Sequence, residues 1–243
     1  MDVSDGYCCA VVGEGRRRAG NGVLQGNEEV MELGEAALTS MTTRYFTKDP
    51  VSDETLERAF DYARHAPQGG NRQPVRFIVV RDEAKKQQLQ EWYLEPWKAY
   101  LGMARQGDIE IIGEKASRLL DSADHFAEHF AEVPVIVVAC GYLDGVHPTD
   151  TELGRLSVVG GGSIYPAVQN FLLGCREAGL GTALTTLLCM YEPQVAEMLD
   201  IPEGVATAAH IAVGYRSTPF PRKLDRLPLS EIVFDETWGN STY

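Results

Sequence analysis

Apolar positions along the chain follow two rhythms. Behind Ser52, Asp53 and Glu54, the stripe Leu56, Ala59, Phe60 and Ala63 repeats at helical spacing, with a good N-cap and an acidic first turn. VMELGEAALT, within Glu28–Thr39, predicts an earlier helix with Val30, Leu33, Ala37 and Leu38 on one side. Ile164, Val168, Phe171, Leu172 and Cys175 mark a longer helix, ended by Gly179 and apolar on most sides. A helix of that kind is buried in a core or against a second subunit. The other rhythm is that of strands: Val75–Val80, then the near-continuous β-branched run Val133–Ala139, and Thr207–Tyr215, the last two of which read as buried. His210 inside the last run reads as a core histidine with its hydrogen bonds satisfied, and a polar helix begins at Asp82. Gly141–Glu152 is loop, and Gly160-Gly161-Gly162-Ser163 is either an anion nest or close packing at a helix start.

The chain is arranged around Ala59–Asp82. A helix ends at Arg64-His65-Ala66, Pro67 breaks it, and Gln68, Gly69, Gly70 and Asn71 form a small polar loop before Gln73-Pro74 and the first strand. Pro67 disfavours helical geometry at Ala66, and the two glycines open backbone conformations closed to other residues. Such a loop can lay backbone groups flat against a planar ligand, while Asn71 and Gln73 each offer an amide donor and an acceptor. A plain helix-to-strand turn with incidental amides carries comparable weight.

HAPQGGNRQPVRFIVVRD resembles the APSGxNxQPWxFxVVxD signature of the nitroreductase-like flavoproteins, and the likeness extends at intervals from about Met41 to Trp238. The resemblance implies an α+β sandwich, a central mostly antiparallel sheet flanked by helices, in an intertwined homodimer that binds FMN at its interface. It implies FMN contacts from Pro67, Gln68, Gly69, Asn71 and Gln73. Where the family reads R-R-S-x-R-x-F against the phosphate, this chain keeps Thr42 and Arg44 but has Ser40 and Met41 for the first two arginines. Leu184, Thr185 and Thr186, in GLGTALTTLL, match the turn and loop facing the flavin near N5. In the C-terminal stretch, Arg216, Arg222, Lys223 and Arg226 concentrate charge; Arg226 fits the family's last phosphate contact, and Lys223 or Arg222 compensates for the missing arginines. One subunit would then contribute Arg44, Asn71 and Arg226, and the extended tail would embrace the other.

The span from Gln87 to Val133 departs most from the family. Its Trp92, Tyr93, Trp97, Tyr100, Phe126 and Phe130 either cover the active site as a lid-like helical excursion (about 87–132) and stack on flat substrates, or pack a core. His125 and His129 have helical metal-ligand spacing without a third ligand motif. Residues 1–28 read as a poorly ordered, dispensable leader before a single domain from 29 to 243. Tyr7–Gly20 imitates a strand and dinucleotide loop, but Arg18 stands where the third glycine belongs.

Composition narrows the chemistry. A net charge of −13 argues against a nucleic-acid partner. No apolar run reaches membrane-spanning length, no secretory signal stands at the N-terminus, and Cys8, Cys9, Cys140, Cys175 and Cys189 lack C-x-x-C spacing, which together predict a cytoplasmic protein with reduced thiols. No G-x-S-x-G occurs, and no cysteine stands beside a conspicuous base. That suits a cofactor carrying the reaction. By the resemblance, NADH or NADPH reduces the flavin and leaves, and an electron-poor nitroaromatic, quinone or enone is reduced in its place. Dehydrogenation, reductive dehalogenation or flavin cleavage on the same scaffold, and flavin binding without turnover, are the alternatives.

Overall fold

A computed structural model of the chain describes residues 31–109 and 116–241. The expected leader lies outside these residues, as do Cys8, Cys9 and the stretch that imitates a dinucleotide loop.

Four strands form one sheet in the order β1-β2-β4-β3, every neighbouring pair antiparallel. They are β1 (Val75–Val80), β2 (Val135–Tyr142), β3 (Leu180–Thr185) and β4 (Val205–Tyr215). The two runs read as buried, now β2 and β4, occupy the centre, as largely apolar strands do when both faces are covered. Alternation sorts β2 between two cores: Ile136, Val138 and Cys140 face one, Val135, Val137 and Ala139 the other. Against the second core lie α2 (Asp53–Arg64) and α5 (Tyr165–Glu177). Against the first lie α3 (Glu83–Gln106), α4 (Ala116–Glu128) and α6 (Glu192–Leu199).

Local sequence explains the helix ends. Ser52 Oγ accepts the Thr55 N–H at 3.2 Å and opens α2, and Asp82 Oδ1 accepts the Lys85 N–H at 2.9 Å and opens α3. Gly107, in the left-handed region at φ 86°, closes α3. Where α5 crosses α2, a Cβ on Gly174 would come within 2.8 Å of the Ala59 Cα, so only glycine admits that approach.

Three expectations change. The first helix, α1, is described over Leu33–Thr39, and it buries Ala36 and Thr39 while leaving Leu33 and Leu38 73% and 71% exposed. Its leucines face away from the core of their own chain. Gly179–Leu188, read as turn and loop, contains the edge strand β3; its Gly, Ala and Thr residues carry little strand signal, and pairing with β4 supplies the conformation. His210 is a core histidine, fully buried, but neither ring nitrogen has a hydrogen-bond partner among the described residues. Burial lowers its pKa to about 4.

The aromatic span packs on the sheet. Tyr93, Trp97, Phe126 and Phe130 belong to the first core. Asp124 joins the two helices, accepting from Trp97 Nε1–H at 2.9 Å and Lys98 Nζ at 2.6 Å.

Candidate functional site

The loop after α2 holds an unusual backbone. Gly70, Asn71 and Gln73 all lie in the left-handed region, at φ 59°, 51° and 52°. Glycine adopts this freely and asparagine tolerates it, whereas glutamine does so at a cost of about 1–3 kcal/mol, the kind of strain that clusters at ligand sites. The surroundings hold it in place. Gly69 N–H donates to Ser163 Oγ at 3.1 Å, beside the start of α5. Arg76 donates to the Gln73 and Val75 carbonyls at 2.9 and 2.8 Å and lies over the Tyr142 ring. Ser163, last of the glycine-rich quartet, thus braces this loop. Gln68 and Gln73 line a cavity of about 350 Å³ with Phe60, Ala63 and Phe77. The Gln68 Oε1 atom is buried there without a hydrogen-bond partner among the described residues. An amide oxygen so placed costs on the order of 1–3 kcal/mol unless a ligand or water satisfies it.

A second cavity, of about 270 Å³, gathers residues far apart in sequence: Thr42 and Arg44, Leu184 and Thr185, and from α3 the rings of Tyr93 and Trp97. Two backbone contacts bring the first pair to β3. Thr42 bridges Thr182 in parallel, and Thr43 N–H donates to the Thr182 carbonyl at 2.7 Å. Arg44 has no hydrogen bond or ion pair among the described residues, and burial pushes its guanidinium below the ordinary value, opposed by Tyr93 and Tyr45. Burial raises the Tyr93 phenol, against a hydrogen bond with Thr185 and the Arg44 charge. A partly desolvated cation with no anion beside it is a place for an anionic or strongly polar ligand. Thr185 itself accepts the Leu187 N–H at 3.2 Å, and directly across the ladder stands His210.

The two cavities lie apart. The first is bounded by β1 and by residues of the α2/α5 core, the second by β3 and residues of the α3/α4 core. They therefore sit at opposite edge strands and on opposite faces of one sheet. Asn71 belongs to the loop of the first cavity and Arg44 to the second, so within one chain they do not meet. Pro67, Gly69 and Asn71 shape the first loop without lining its cavity, and Thr186 follows β3 just outside the second. Lys223 and Arg226 are exposed on the tail and line neither cavity; Arg226 donates to the neighbouring Asp225 carbonyl. Ser163 and Thr43 went unmarked as site-shaping residues, because their roles arise from contacts across 94 and 139 positions of chain.

Residues 39–215 match the model of the Nitroreductase family. The chain belongs to the nitroreductase family. Among curated members, it is 31% identical to a 5,6-dimethylbenzimidazole synthase of Rhodospirillum rubrum, over 76% of this chain and 82% of the relative. It is 27% identical to an NADH dehydrogenase of Thermus thermophilus, over 84% and 96%. Of solved structures, oxidized iodotyrosine deiodinase bound to FMN and 3-iodo-L-tyrosine superposes with a TM-score of 0.62 at 24% identity, covering 81% of this chain and 96% of that one. As a nitroreductase-family member the chain is an oxidoreductase, and the family match spans both cavities and the sheet between them.

Proposed function

We propose that this nitroreductase-family protein is an FMN-dependent oxidoreductase that takes reducing equivalents from NADH or NADPH and passes them to electron-poor small molecules such as nitroaromatics, quinones or enones. The observation that carries the reading is the meeting of Thr42, Arg44, Leu184 and Thr185 in one cavity, with Arg44 left without an anion. These residues fit a flavin mononucleotide: a guanidinium without an anion among the described residues and a hydroxyl for polar and anionic groups, and the Leu184-Thr185 end of β3 for a ring edge. The strained loop Gly69–Gln73 and the unpartnered Gln68 Oε1 fit the opposite side of such a ring. FMN, when bound, supplies the two-electron chemistry that no side chain of the chain offers. Arg44 and Thr42 bind and orient, Thr185 presents a hydroxyl, and the Tyr93 and Trp97 rings exclude water from the second cavity.

Because the two half-sites cannot close on each other within one chain, the working form is a homodimer, each site built from the second cavity of one copy and the loop Pro67–Gln73 of the other. The exposed Leu33 and Leu38 of α1, and Leu227, Leu229, Ile232 and Trp238 of the tail, supply apolar surface for that association. A cytoplasmic location fits the free thiols of Cys140, Cys175 and Cys189.

The visible spectrum of the purified protein tests the cofactor, with flavin absorbance expected. Anaerobic bleaching by NADH or NADPH, then recovery of colour on adding a nitroarene, tests the reaction. Colour that neither nicotinamide bleaches removes the proposed electron donor and favours the second reading, a dehydrogenase, dehalogenase or flavin-consuming activity. The relative named as a synthase, which has the higher identity of the two, supports keeping that reading.

A further inference from the structure

Two arginines, the buried Arg176 and the half-buried Arg216, converge on the segment that carries Thr42 and Arg44, and neither lines the cavity. Arg216, just past β4, reaches back with a full fork. Its Nη1–H donates to Thr43 Oγ1 at 2.8 Å, its Nε–H to the Thr218 carbonyl at 3.1 Å, and its Nη2 hydrogens to Thr218 Oγ1 at 3.1 Å and the Pro219 carbonyl at 3.4 Å. Arg176, near the end of α5, donates from Nε to Thr39 Oγ1 at 3.0 Å, with Glu35 at 3.5 Å. Between the two guanidiniums stands Phe220, 3.9 Å from Arg176 and 4.9 Å from Arg216. Thr39 and Thr43 bracket Ser40, Met41 and Thr42, so the segment is pinned at both ends. The Phe220 ring lies two residues before Arg222 and three before Lys223.

This arrangement is built for close approach. A Cβ on Gly181 would collide with Thr43 Oγ1 and with the Arg216 side chain, so both are seated on the bare backbone of β3. It also gathers positive charge. Burial lowers the Arg216 pKa and the Arg176 charge lowers it further, while no carboxylate pairs with Arg216 among the described residues. Two guanidiniums thus lie against one ring, Arg176 with Glu35 at 3.5 Å and Arg216 with hydroxyl and carbonyl partners only.

We infer that Arg216 is a positioning residue for recognition of the ligand's phosphate: its fork joins the Thr42–Arg44 segment to the basic C-terminal segment, so that the two present their donors to one anion together. The inference rests on the FMN reading and deepens it. Arg216 itself has no hydrogen bond to spare on Nε or Nη2, so it acts through Thr43 and the 218–220 turn. A lysine, with a point charge and no planar fork, cannot make these contacts together.

The test compares two ligands that differ only by the phosphate. FMN and riboflavin are titrated against wild type, Arg216→Ala, Arg216→Lys and Gly181→Ala, following flavin fluorescence. Wild type is expected to prefer FMN strongly. Each variant is expected to lose at least tenfold of that preference while its affinity for riboflavin stays within about twofold, a change that a general loss of stability does not produce. If Arg216→Ala does not fold, the lysine variant decides. Wild-type preference retained in Arg216→Lys and Gly181→Ala overturns the inference, as does a wild type that binds both flavins equally well. Wild type binding neither flavin overturns the FMN reading itself, and the positioning role with it.

Discussion

Arg44 is the residue on which the electrostatics of the second cavity turn. Its guanidinium is partly desolvated and has no hydrogen-bond or ion-pair partner among the described residues, so a bound anion gains a charge-assisted contact without first displacing one of them. Arg44→Ala should weaken FMN binding by about 1.5–3 kcal/mol, the scale of a hydrogen bond to a charged group, measured by fluorescence titration. Unchanged affinity would remove Arg44 from the site. Arg226→Ala is expected to fall in the same range if the tail closes on the phosphate in the dimer, although Arg226 is exposed in the single chain. His210 titrates in the opposite sense to a stabilising ion pair. Above pH about 6.5 both folded and unfolded chains carry a neutral ring. Below that the unfolded chain takes up a proton that the folded ring refuses until about pH 4. Stability therefore falls as pH falls across this window, by roughly 3 kcal/mol in all. His210→Leu should flatten that part of the denaturation profile; an unchanged slope would show that other groups set it.

At the scale of elements, the site depends on how closely helices approach the sheet and one another. Gly174 lets α5 lie on the backbone of α2, the helix that leads into the Pro67–Gln73 loop. Gly174→Ala gains helix propensity but must push backbone against backbone, and overpacking of this kind costs about 1–3 kcal/mol. Urea unfolding should show it as a lower midpoint at unchanged m-value. On the other face, Asp124 ties α3 to α4 through Trp97 and Lys98, and Trp97 lines the second cavity. Much of what these elements are was legible in the chain. The N-cap serine of α2, the β-branched run of β2, the apolar run of β4, and the helical stripe of α5 each carry a local signal strong enough to stand alone. β3 carries none: LGTALT becomes a strand because β4 and the Thr42 segment lie beside it. The outward leucines of α1 mislead for a related reason. Periodicity marks an apolar face but not what covers it.

For the whole molecule, the decisive fact is that one chain presents two separate cavities on opposite faces of its sheet, which under the proposed function are two halves of one site. A subunit-mixing experiment follows. Arg44→Ala and the double variant Gln68→Ala/Asn71→Ala should each lose most activity, yet after mixing and reassociation the mixed dimers carry one intact site, for up to about a quarter of wild-type activity under random exchange. No recovery would place both halves in the same subunit. The amino-acid sequence determined the family, the loop from Pro67 to Gln73, and the singling out of Thr42 and Arg44, because each rests on residues adjacent in the chain. Tertiary structure alone decided that, among the described residues, Arg44 and the buried Gln68 Oε1 have no partner, that Arg176 and Arg216 hold the segment before Arg44, and that the loop and the arginine lie on opposite faces. The physical reason is the same in each case: these are statements about which groups meet across a folded sheet, and desolvation and hydrogen bonding depend on those meetings, not on local order along the chain.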